Sequence, residues 1–145
     1  MAQVTHLEDR TFNRRAGQLF VAVDSALNDS DKAITVPAGQ IWEIREVFVT
    51  FTASAVVGDR VLVCCVHDGT EVLSAIPSNG ILQAASTTYR YAFGGNWWSN
   101  TGSDDYTLPL PIHTLYSGWY IRVYDRNAVD AAADDMTVVV TGTAF

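Results

Sequence analysis

Residues 40–53 read QIWEIREVFVTFTA. The stretch is rich in β-branched and aromatic residues and has no helical period, so it is a strand. Taken two by two, Trp42 and Ile44 share one face. Further along, Val47, Val49 and Phe51 share a face, with Phe48, Thr50 and Thr52 opposite. The apolar phase therefore slips by one residue near Arg45–Glu46. Side chains on a strand alternate with a period of two, so the slip calls for a β-bulge or a change of sheet at that point. A long strand that turns a corner suits two packed antiparallel sheets.

The flanking sequence repeats the theme. Before the long strand come a first strand at about Gln18–Asp24, with Leu19, Val21 and Val23 on one side, a loop SALNDSDK at 25–32, and a short strand Ala33–Val36 closed by Pro37-Ala38-Gly39. After it, Arg60–His67 (RVLVCCVH) is apolar on both faces, as expected of a central strand or of one covered by a second subunit. Asp68-Gly69 is a strong hairpin signal, so Thr70–Ile76 is expected to pair back on Arg60–His67. Ile81–Ser86 is ambiguous and compatible with a short helical turn. Thr87–Phe93 alternates, with Tyr89, Tyr91 and Phe93 on one face. In Tyr106–His113 (YTLPLPIH), Pro109 and Pro111 occupy one side and Leu108, Leu110 and Ile112 the other. Proline cannot donate to a ladder, so this reads as an edge strand with its leucine side inward. Trp119–Asp125 and Met136–Thr143 complete eight or nine strands at regular spacing. The expected fold is an all-β, single-domain antiparallel β-sandwich of jelly-roll type, residues 18–145, preceded by an extended N-terminal arm, residues 1–17.

Composition narrows the function. The 145 residues are 48% hydrophobic, enough for one real core. No stretch approaches the roughly 18 apolar residues of a membrane span, and the charged N-terminus does not resemble a secretory signal. A formal charge of −7 argues against a nucleic-acid partner held through phosphates. The basic residues are arginines except for Lys32, and three of them, Arg10, Arg14 and Arg15, lie in the arm. Arginine is favoured at protein interfaces over lysine. Cys64 and Cys65 are adjacent, so they point to opposite faces of a strand and are read as small buried apolar groups rather than a disulfide.

The chain carries no recognisable catalytic or metal-binding set. His6, His67 and His113 are isolated, and there is no zinc spacing, nucleophile elbow or phosphate loop. Asp104–Asp105 and Asp134–Asp135 fall in expected loops. A hydrolase would need two such carboxylates across a cleft, and neither pair follows a calcium-loop pattern. The aromatic residues are more informative. Trp97 and Trp98 lie side by side in the loop GGNWWSNTGSDD, and Trp119 and Tyr120 begin a strand. Such a set plugs the end of the sandwich, contacts another subunit, or forms a ligand platform.

Three segments, ITVPAGQIWEIREVFVTFTA, GDRVLVCCVHDGTEV and LPLPIHTLYSGWYIRVYDRNAVDAAADDMTVVVTG, resemble the jelly-roll decoration, or cement, proteins of tailed bacteriophages. The resemblance spans roughly Ala33–Gly142. It rests on a VPAG corner, a GDR entry to the hairpin, and a GWYIRVYD strand before an acid-rich loop. It implies a non-enzymatic virion protein, assembled in the host cytoplasm and placed on the capsid exterior, without cofactor, metal, nucleic-acid or membrane partner. Its implied partners are the major capsid protein and copies of itself, as a homotrimer. Arg10, Phe12, Arg14 and Arg15 of the arm would then contact the capsid. Trp97, Trp98, Trp119 and Tyr120 would form a subunit interface or ligand platform. Similar sandwiches in phage tails and fibres leave a carbohydrate-binding module as the alternative.

Overall fold

The computed structural model describes residues 17–94 and 104–145. Among the described residues ten strands form two sheets: β1 Gln18–Asp24, β2 Asp31–Thr35, β3 Trp42–Thr52, β4 Leu62–His67, β5 Val72–Pro77, β6 Thr88–Gly94, β7 Asp105–Leu108, β8 Thr114–Leu115, β9 Tyr120–Asp125 and β10 Asp135–Ala144. The larger sheet runs β1-β10-β3-β6-β7, with β8 also on β3; the smaller runs β2-β9-β4-β5.

The pairing is nested. β1 pairs with β10, β2 with β9, β3 with β6 and β4 with β5, all antiparallel. One long hairpin, with its tip at Asp68–Glu71, has thus been wrapped so that its halves lie in both sheets. β10 and β3, and β9 and β4, become neighbours through the wrap. This is the jelly-roll wind. At the hairpin tip, the Asp68 carboxylate accepts from the backbone N–H groups of Thr70 and Glu71, both at 2.7 Å.

β3 carries the corner that its sequence demands. Thr141 faces Glu46 and Gly142 faces Ile44, so Arg45 is the extra residue of a bulge. Trp42 and Ile44 before it, and Val47, Val49 and Phe51 after it, all point into the core. The bulge also divides the free edge of β3. Its first residues pair with β8, and Ile44 N–H donates to the His113 carbonyl at 2.6 Å; its later residues pair with β6. Gly142 lies opposite the bulge, where a Cβ would collide with the Glu43 carbonyl oxygen and press on the Phe20 ring.

Between the sheets lie Val47, Val49, Phe51, Leu62, Cys64, Val66, Tyr91, Phe93, Ile121, Val123, Met136, Val138 and Val140, all fully buried. β4 is a central strand whose second face, Val63 and Cys65, is also buried by the chain itself. Both cysteines are free thiols, and burial pushes both up from the ordinary thiol range.

Three expectations need amendment. The sandwich is not wholly antiparallel, because β7 runs parallel to β6, with Asp105 beside Arg90 and Leu108 beside Phe93. The edge strand stops at Leu108, immediately before Pro109, while Leu108, Leu110 and Ile112 still pack on the core as expected. Residues 81–86 hold no helical turn; Gln83 instead forms a bridge with Arg60. On β1, Leu19, Val21 and Val23 share one face as expected; it is the exposed one, and Phe20 and Ala22 face inward.

Replacing Gly142 with alanine overpacks the bulge. The expected cost is about 1–3 kcal/mol, read as a lower urea midpoint with unchanged slope; an unchanged midpoint contradicts the tight fit.

Candidate functional site: loop end and outer faces

The wrap gathers four connections at one end of the sandwich: β1–β2, β3–β4, β5–β6 and β9–β10. Their polar groups are turned inward. Arg60 and Asp134 are both fully buried and paired through Nε to Oδ2 at 3.1 Å and Nη2 to Oδ1 at 3.0 Å. Arg60 Nη1 donates to the carbonyls of Val56 (2.9 Å) and Gly58 (2.6 Å), and Nη2 to Ser54 Oγ (3.2 Å). All five guanidinium N–H groups are therefore engaged. Asp134 Oδ1 also accepts from the Ser54 N–H at 2.7 Å, and Ser54 Oγ donates to Asp130 at 2.6 Å.

Two more groups complete the knot. Asp125 accepts from the backbone N–H groups of Val61 (2.9 Å), Asn127 (3.1 Å) and Val129 (3.2 Å). Buried Gln83 donates to the carbonyls of Phe51 and Thr87 and accepts from the Tyr91 hydroxyl at 3.0 Å. In the β1–β2 loop, the Lys32 ammonium is enclosed by oxygens of Ala26 (2.7 Å), Asn28 (2.6 Å), Asp29 (3.0 Å) and Asp24 (3.6 Å).

These assignments bear on the hydrolase reading. Asp134 is bound to Arg60, and Asp105 to Arg90 at 2.6 Å, so each is held as a structural anion. Among the described residues, no three His, Cys, Asp or Glu groups are placed to hold a metal. The loops also turn apolar side chains outward: Leu27, Val56, Val57 and Leu82 are exposed, beside exposed Asp59 and Arg126.

Trp119 and Tyr120 part company. Trp119 packs against the core and meets Tyr116 edge-on at 5.0 Å. Tyr120 lies on the outer face of the smaller sheet, stacked on His67 with centroids 4.7 Å apart. On that face Arg122 pairs with Asp31 at 2.6 Å and covers the Tyr124 ring at 4.4 Å. The Asp31 hydrogen bond raises the Arg122 pKa above its usual value. Arg10, Phe12, Arg14, Arg15, Trp97 and Trp98 lie outside the described residues.

The sequence reading missed the roles of Arg60, Lys32 and Gln83. The only available signal was charge at a strand entry beside acid-rich loops, which does not specify a partner. Lys32→Met keeps the aliphatic stem and removes the ammonium from its oxygen cage. Its expected cost is about 1–3 kcal/mol, with faster hydrogen exchange at residues 26–31; unchanged exchange contradicts the cage's role.

No protein-family profile matches the chain, and no curated protein does. Among solved structures it is similar to the coat protein of Tobacco streak virus, with a TM-score of 0.41 and 12% identity over 92% of this chain and 90% of that one.

Proposed function

We propose that this chain is a non-enzymatic virion structural protein: a capsid decoration protein that binds the outer surface of a phage head and stabilises contacts between capsid subunits. The observation that carries the reading is the division of labour among side chains. Arg60, Lys32, Asp125 and Asp134 are engaged within the chain, while Leu19, Val21, Val23, Val56 and Val57 face outward. A catalytic centre needs polar groups left free to meet substrate; an adhesive protein needs outward apolar and aromatic surface on a rigid frame. The segments that resemble cement proteins run through this frame, from the corner before β3 to β10.

In this reading the arm, with Arg10, Phe12, Arg14 and Arg15, lies on the major capsid protein. Its arginines pair with capsid carboxylates, and Phe12 supplies an apolar anchor. The rest of the protein, carrying most of the acid, faces away from the shell.

Deleting residues 1–15 tests this. Co-sedimentation with undecorated heads is expected to fall, and the temperature at which decorated heads release DNA is expected to drop towards that of bare heads. The circular dichroism of the free protein should not change. Full binding by the truncated chain would remove the arm from the mechanism. Failure of the intact chain to bind heads at all, with binding to a glycan panel instead, would overturn the decoration role.

A further inference from the structure

We infer that β1 is the seam through which two copies of this chain join. Its outer edge pairs antiparallel with the same edge of a second copy, about a two-fold axis at Val21. β1 ends the larger sheet, with β10 on one side and no described strand on the other. In an antiparallel strand alternate residues turn their N–H and C=O groups to each side, so β1 presents an open row of donors and acceptors.

The sandwich guards its other edges. β2 places charged Asp31 and Lys32 at its start. β5 is bulged against β4 and ends in Pro77. β7 is four residues long and is followed by Pro109. Short length, charge, proline and bulges are the usual means of keeping edges from pairing. β1 has fewer of them: it pairs with β10 over seven residues without a register shift, Leu19–Val23 carries no charge, and its charged residue, Asp24, is its last. On its outer face Leu19, Val21 and Val23 are 75%, 68% and 56% exposed.

A second copy fits this edge by chemistry as well as by shape. With Val21 on the axis, Val21 faces Val21, Leu19 faces Val23 and Phe20 faces Ala22. Asp24 faces Gln18 rather than another Asp24. Apolar groups meet apolar groups, a large inward ring meets a small neighbour, and no like charges oppose one another. The rival occupant, the chain's own residues 1–16, would bring Glu8, Asp9, Arg10, Arg14 and Arg15 to an apolar stripe. A seam of one strand pair is smaller than the roughly 1,200–2,000 Å² of stable complexes. The contact is therefore concentration-dependent in solution and strengthens wherever copies are held side by side.

Directly opposed residues of an antiparallel pair have Cα atoms about 4.5–5.5 Å apart, within the range of a disulfide. Under mild oxidation, V21C is expected to run mainly as a cross-linked dimer. V57C, at a position 90% exposed, serves as the collision control and is expected to stay mainly monomeric. In sedimentation velocity the unmodified chain should show a dimer that dissociates on dilution, and V21K should shift it to monomer with unchanged circular dichroism. Equal cross-linking of V21C and V57C overturns the seam, as does a monomer at all concentrations or a stable trimer that V21K does not disturb. None of these readouts involves heads, so the seam and the decoration role can fail separately.

Discussion

The ion pair between Arg60 and Asp134 is the constraint from which the loop end of the molecule follows. Taking a guanidinium and a carboxylate out of water costs several kcal/mol per ion, and only close geometry with every remaining donor satisfied offsets it. Here the geometry is a two-point fork, and the three other N–H groups of Arg60 reach Ser54 and two backbone carbonyls of its own loop. The pair thereby fixes the β3–β4 connection against the β9–β10 connection. These join different sheets, so a contact far apart in sequence holds the two layers in register at one end.

The opposite constraint acts along β3. A strand of eleven residues cannot keep one face on the core of a twisted sandwich without correction, and the Arg45 bulge supplies it. Gly142 provides the room on β10, and the change of partner from β8 to β6 occurs at the same place. Bulge and ion pair together convert one long hairpin into two layers, with Arg60, Asp125 and Asp134 buried at the loop end and Val56 and Val57 exposed beside them.

Much of this was legible in the sequence because strands write their faces with a period of two. The phase slip in residues 40–53 located the bulge, Asp68-Gly69 located the hairpin, and alternation in Thr87–Phe93 and Trp119–Asp125 gave the correct inward faces. The failures have physical causes. Leu19, Val21 and Val23 share one face, but a strand's pattern does not say which side meets the other sheet when Phe20 and Ala22 are also apolar. The parallel placement of β7 is a pairing with β6 that no local pattern in its own four residues signals. Arg60 read as the start of a strand, Lys32 as a loop residue and Gln83 as part of an ambiguous segment. The partners of the Arg60 side chain include remote Asp134, those of Lys32 are a nearby backbone carbonyl and loop oxygens, and no local pattern marks either set. Trp119 and Tyr120, adjacent at the start of β9, fall on opposite sides: Trp119 is half-buried against the core and Tyr120 lies on the outer face of the smaller sheet.

A frame whose buried charges are paired within the chain and which exposes Leu19, Val21, Val23, Val56 and Val57 suits the proposed adhesive role, provided the buried loop acids are structural. The most direct measurement is a double-mutant cycle in urea with Arg60→Met, Asp134→Leu and the double variant. The account predicts that each single change costs about 3–5 kcal/mol, because each leaves one charge buried without its partner. The double variant should be much less destabilised than the sum of the two. Additive losses, or a single loss within about 0.5 kcal/mol of zero, as for an ordinary surface site, would contradict it and return Asp134 to the set of carboxylates available for chemistry.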